Sequence, residues 1–127
     1  MSNMIAHRTA GSGGKRRISG DVFTFIINGN ETGEQYCTME VVVSPGNGPD
    51  PHSHDKEEES FYILEGEYEF MVGDHSFRAC KGDFIHIPRN TVHGFKNALD
   101  TQGRVLATFT PAGIENFFME NGEPVDD

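Results

Sequence analysis

The sequence of 127 residues has no tryptophan, only two cysteines, and half as many basic as acidic side chains: Lys and Arg number 10, Asp and Glu 20. Each shortage excludes something. A formal net charge of -10 repels phosphate backbones, which proteins bind by neutralising charge with Lys and Arg, so no nucleic acid is expected as a partner. Cys37 and Cys80, far apart in the chain, make no disulfide framework and read as ordinary buried or half-buried thiols. No stretch approaches the roughly 18 apolar residues that span a bilayer, and the first residues lack the apolar segment of a secretory leader. A cytoplasmic protein without membrane association is the expectation.

Turn chemistry, by contrast, is plentiful. The 15 Gly and 6 Pro punctuate apolar runs of strand length at 22–27, 36–43, 61–64, 68–72, 76–80, 84–87, 92–95 and 105–110. Eight such runs with Gly, Pro, Asn and Asp between them predict an all-β sandwich or barrel, and the length predicts a single domain. After Pro111 the period changes: Ile114, Phe117 and Phe118 fall on one face of a short helix. Residues 1–20, polar and carrying Lys15, Arg16 and Arg17, are expected to be a flexible arm; 21–120 form the domain, and the acidic 121–127 a fraying tail.

The chemistry concentrates in Gly46 to Gly66, G-N-G-P-D-P-H-S-H-D-K-E-E-E-S-F-Y-I-L-E-G. Side chains two apart on extended chain share a face, so His52 and His54 can aim two imidazoles at one point. Glu59 shares its face with Phe61 and Ile63 by the same period. A further imidazole lies in G-D-F-I-H-I-P-R-N-T-V-H-G-F-K-N, where His93 precedes Phe95 on one strand face.

Together the two stretches resemble the two signature motifs of the cupin superfamily. Gly46, His52, His54, Glu59 and Gly66 match the first, and Gly82, Pro88, His93 and Asn97 the second. Asn90 stands where the motif has Gly, a mild change because Asn tolerates positive φ. The stretches E-T-G at 31–33 and T-P-A-G-I-E-N-F-F at 110–118 are similar to small single-domain cupins described as quercetin dioxygenase-like.

The resemblance implies a double-stranded β-helix, or jelly-roll, barrel with a short C-terminal helix, in which His52, His54, Glu59 and His93 hold one divalent metal. Three imidazoles and a carboxylate suit Fe, Mn, Ni, Co, Cu or Zn rather than Ca or Mg. The six-residue gap to Gly66 selects Glu59 over Glu57 and Glu58, which read as a solvated turn. Metal affinity is expected to fall below about pH 6, because the neutral ring is the ligand.

Met39, Phe61, Ile63, Phe70, Phe95 and Phe109 can line a cavity for an apolar substrate or be ordinary core, and His86 can face pocket, partner or solvent. His75, in a turn, is expected to be exposed. The implied activity is a metal-dependent dioxygenase on a small enolic or phenolic, flavonol-like substrate, with Glu59 as catalytic proton acceptor. Alternatives are metal-dependent isomerisation, epimerisation or lyase chemistry, or small-molecule binding without catalysis. A homodimer is expected from the family.

Overall fold

The computed structural model describes residues 5–125. Strand β1 (Lys15–Ile18) turns into β2 (Asp21–Ile27), and helix α1 (Gly29–Thr32) leads to β3 (Cys37–Val43). There follow β4 (Glu58–Glu65), β5 (Glu67–Val72), β6 (His75–Cys80), β7 (Phe84–Ile87), β8 (His93–Asn97) and β9 (Gly103–Thr110). Helix α2 (Ile114–Asn121) and the short β10 (Glu123–Pro124) complete the described chain.

These strands form two antiparallel sheets, one of seven strands in the order β10-β1-β2-β3-β9-β4-β7 and one of three in the order β6-β5-β8. The architecture is the expected jelly roll with its C-terminal helix. Alternation decides which face turns inward. On β3, Cys37, Met39, Val41 and Val43 are buried, and on β9 Val105, Ala107 and Phe109 face the same interior in register with them. From the smaller sheet come Tyr68, Phe70 and Phe95; the rings of Phe70 and Phe95 stack with centroids 5.0 Å apart, and Phe61 meets Phe95 edge-on at 5.3 Å. These rings belong to the core between the sheets, where removing a buried Phe typically costs about 3–5 kcal/mol.

Two expectations for the chain ends are corrected. Residues 1–4 and 126–127 of the expected arm and tail lie outside the described residues. Lys15–Ile18 are not a free arm but pair with β2 on one side and with β10 on the other. The basic triplet can do this because its side chains alternate: Arg17 is exposed, while Arg16 is half-buried and donates to the Met119 carbonyl at 3.3 Å. Glu123 and Pro124, expected to fray, supply the outermost pairing.

Candidate metal centre and cavity

The four motif residues reach one place by different routes. Glu59 is the second residue of β4, opposite Ile87 on one neighbour and Phe109 on the other, which buries its carboxylate between apolar side chains. His93 opens β8 and is buried. His52 belongs to no strand: it joins β8 by an isolated bridge to His93, and His54 follows two residues on in irregular chain. The two rings are thus brought near each other without the strand that the period-two argument assumed.

The donor atoms of His52, His54, Glu59 and His93 lie within 4.8 Å of one another, so this cluster can hold a metal ion. Ring orientation is set from behind. The Nδ1 of His52 lies 2.8 Å from the Asp50 carbonyl oxygen and the Nδ1 of His93 2.9 Å from that of Thr91, so each Nδ1 carries the proton and donates it. Each Nε2 is left with a lone pair. That of His93 faces Glu59 Oε1 at 2.9 Å, and Oε1 is also 3.6 Å from His54 Nε2. Lone pairs converging on a carboxylate oxygen need a cation among them, a proton or a metal, and three nitrogens with one oxygen suit a divalent transition metal.

Electrostatics agree. Burial works against protonating His93, yet its bonds to Glu59 and to the Thr91 carbonyl outweigh it and hold its pKa above the ordinary value. His54 goes the other way: burial lowers its pKa, with the neighbouring rings of His52 and His93 adding to that against the opposing pull of Glu59.

A cavity of about 700 Å³ opens onto this cluster. Met39, Phe61, Phe95 and Phe109 line it, together with Phe23, Val41 and Ala107 and with Ile114, Phe117 and Phe118 of α2. Ala107 sits in register between Met39 and Phe61, and its small side chain leaves open the space that a larger residue would fill. The other candidates are elsewhere. Ile63 and Phe70 are core, since neither borders the cavity and both are fully buried. His86 is corrected to the outer surface: Ile85 and Ile87 take the inward face of β7, leaving Phe84 and His86 exposed. His75 is exposed as expected. Both cysteines are free; Cys37 is buried, but Cys80 is exposed.

The family model for the cupin domain matches residues 39–109. The chain is a member of the cupin family. This cupin is 29% identical over 115 residues to the quercetin 2,3-dioxygenase of Bacillus subtilis (strain 168), an alignment covering 89% of this chain and 34% of that enzyme. The chain thus spans about a third of that relative's length. Two solved structures share the barrel at a TM-score of 0.76: an RmlC-like cupin from Shewanella frigidimarina, 21% identical over 92% of this chain and 99% of that one, and a predicted oxalate decarboxylase from Thermotoga maritima, 20% identical over 84% and 99%.

Other parts of the cupin site were not visible in the sequence pattern. Glu57, expected in a solvated turn, is half-buried with its carboxylate 3.7 Å from His54 Nδ1. It stands behind His54 as the Asp50 and Thr91 carbonyls stand behind the other two rings. Its spacing of three from His54 was the available signal. Glu58 does point outward, to Arg89 at 2.8 Å. Glu115, which the sequence pattern does not single out, is buried and accepts hydrogen bonds of 2.6 Å from the backbone N–H groups of Gly29 and Gly113, anchoring α2 over the cavity.

Proposed function

We propose that this cupin is a metal-dependent dioxygenase acting on a small enolic or phenolic substrate. The observation that carries the reading is the juxtaposition of an N3O donor cluster with an apolar, aromatic-lined cavity of about 700 Å³. His52, His54, Glu59 and His93 would hold one divalent transition metal. Such an ion supplies Lewis acidity that favours the deprotonated form of an enol or phenol.

The chain's own residues do the rest. Carbonyls of Asp50 and Thr91 fix the ring tautomers, so that the Nε2 lone pairs converge. Apolar walls orient the substrate body and exclude water, which strengthens electrostatics at the cluster. Glu59, buried beside His93, is placed to accept the substrate's hydroxyl proton. Relatedness to the Bacillus quercetin 2,3-dioxygenase supports oxygen chemistry on such a substrate. Both atoms of dioxygen would enter the product, so no external reductant is required.

The test is oxygen uptake by metal-loaded protein with a panel of flavonols, diketones and catechols. Uptake dependent on both metal and substrate is expected; none across the panel overturns the reading.

A homodimer is proposed through the outer face of the larger sheet. Phe84, 64% exposed, lies opposite Tyr62, 44% exposed, and Tyr62 lies opposite Leu106. Light scattering should give twice the chain mass of 14.1 kDa, falling to a single chain in the Tyr62→Ser, Phe84→Ser double variant.

A further inference from the structure

The charges around the cavity are as informative as its aromatic rings. Apart from the metal-binding cluster, the charged residues bordering it are Asp21 and Asp50; no Lys or Arg lines it among the described residues. Asp21 is held in place, its Oδ1 accepting from the Ser44 backbone N–H at 2.9 Å and from Asn47 Nδ2 at 3.0 Å. A divalent ion with the Glu59 carboxylate carries a net charge of +1, enough to compensate one anionic oxygen. A second negative charge on a ligand would meet two further carboxylates and no countercharge, in a site with apolar walls.

Helix α2 contributes none of the four donors, yet supplies Ile114, Phe117 and Phe118 to the lining. Phe118 stacks on Phe23 with centroids 4.8 Å apart and planes 24° from parallel, which makes a firm aromatic floor. Phe117 meets Phe118 edge-on at 5.7 Å and remains 58% exposed, although it is a large apolar ring bordering a cavity. The volume of about 700 Å³ lies within the range of about 300–1,000 Å³ seen for pockets that enclose drug-sized ligands. A small dicarboxylate would leave most of these walls uncovered.

We infer that Phe117 and Phe118 form a recognition wall for the aromatic body of a ligand bearing one negative charge, and that the same cavity rejects dianions. This rests on the reading of His52, His54, Glu59 and His93 as metal ligands. It assigns α2 the choice of substrate, separately from the chemistry at the cluster, and makes oxalate and similar dicarboxylates poor ligands despite the shared fold.

The test is calorimetric titration of Zn(II)-loaded protein, where zinc is redox-inert, with 4-phenylphenol, phenol and oxalate. Wild type is compared with Phe117→Ala and Phe117→Tyr; the ring is exposed, so both variants are expected to fold. 4-Phenylphenol should bind at least about tenfold more tightly than either phenol or oxalate. Phe117→Ala should remove about that factor for 4-phenylphenol while leaving phenol within about twofold, and Phe117→Tyr should restore it. Oxalate binding as tightly as 4-phenylphenol, or an equal loss for both phenols in Phe117→Ala, overturns the inference. Absence of oxygen uptake alongside the expected binding order would reject the dioxygenase reading alone; failure of zinc to bind rejects both.

Discussion

His52 and His93 face each other across an antiparallel bridge in which each backbone N–H donates to the other's carbonyl, at 2.9 and 2.8 Å. Their rings consequently lie side by side, with centroids 4.4 Å apart. Two residues far apart in the chain are thus brought into register by main-chain bonds alone, and the loop carrying His52 is sewn to β8 before any ion is considered. Asn47 extends the seam: its carbonyl accepts from Asn97 N–H at 2.8 Å.

That seam predicts unequal costs for its glycines. A Cβ on Gly48 would stand 1.9 Å from the Phe95 carbonyl oxygen, whereas one on Gly46 meets open space, and both have positive φ. Gly46→Ala should cost about 1–2 kcal/mol from backbone strain alone. Gly48→Ala should cost more and should weaken metal binding, because the loop must move away from β8. Urea unfolding of the two variants measures the order; equal losses would contradict it.

Glu57 behind His54 predicts an effect on metal affinity without an effect on the fold. Glu57→Gln should weaken metal binding about tenfold, the lower end of what removing an outer-shell partner costs. The melting temperature of the metal-free protein should change little. Competition against a chelator of known affinity provides the check.

Ala107 predicts a way to fill the cavity. Ala107→Leu, between Met39 and Phe61, should project into open space, cost less than about 1.5 kcal/mol, and retain metal. Binding of an aryl ligand should be lost. If aryl binding persists at wild-type strength, the cavity is not where such ligands sit.

Cys37 predicts a loss of stability in alkali. Burial, reinforced by Glu115, pushes its thiol from 9.0 up to about 12. Tyr68 moves from 10.0 to about 12, again chiefly through burial. In the unfolded chain both groups ionise at their ordinary values, so between about pH 9 and 12 the unfolded state holds fewer protons than the folded one. Stability from these groups is therefore complete below about pH 9 and falls as pH rises further. Urea midpoints between about pH 8 and 11 should show this decline, with a smaller slope in Cys37→Ala. Iodoacetamide on the native protein should modify Cys80 and spare Cys37.

What could be read from the sequence follows from how local each cause is. The spacings of His52, His54, Glu59 and Gly66 were legible because a period of two and a turn act over a few residues. Strands β3, β7 and β9 were legible because their alternation matches their burial. Lys15–Ile18 escaped notice because a polar strand shows no apolar alternation and owes its order to β2 on one side and to β10, from the far end of the chain, on the other. The outward position of His86 depended on the register of β7 on β4, where Ile85 pairs with the buried Phe61 and His86 with Ser60. Glu115 was hidden because a carboxylate on a helix reads as solvated until two backbone N–H groups from elsewhere are seen to satisfy it. The same helix shows the limit of periodicity: Ile114, Phe117 and Phe118 share one expected face, yet Phe117 is left at the cavity mouth.

If His52, His54, Glu59 and His93 hold one transition-metal ion, the metal content of the protein shows it. Elemental analysis of protein purified without added metal, compared with His93→Ala and Glu59→Ala, tests it most directly. Close to one transition-metal ion per chain is expected in the wild type, with a large loss in both variants. A wild type that takes up no transition metal, even after incubation with Fe, Mn, Ni, Co, Cu and Zn in turn, or variants that retain the full complement, would contradict it.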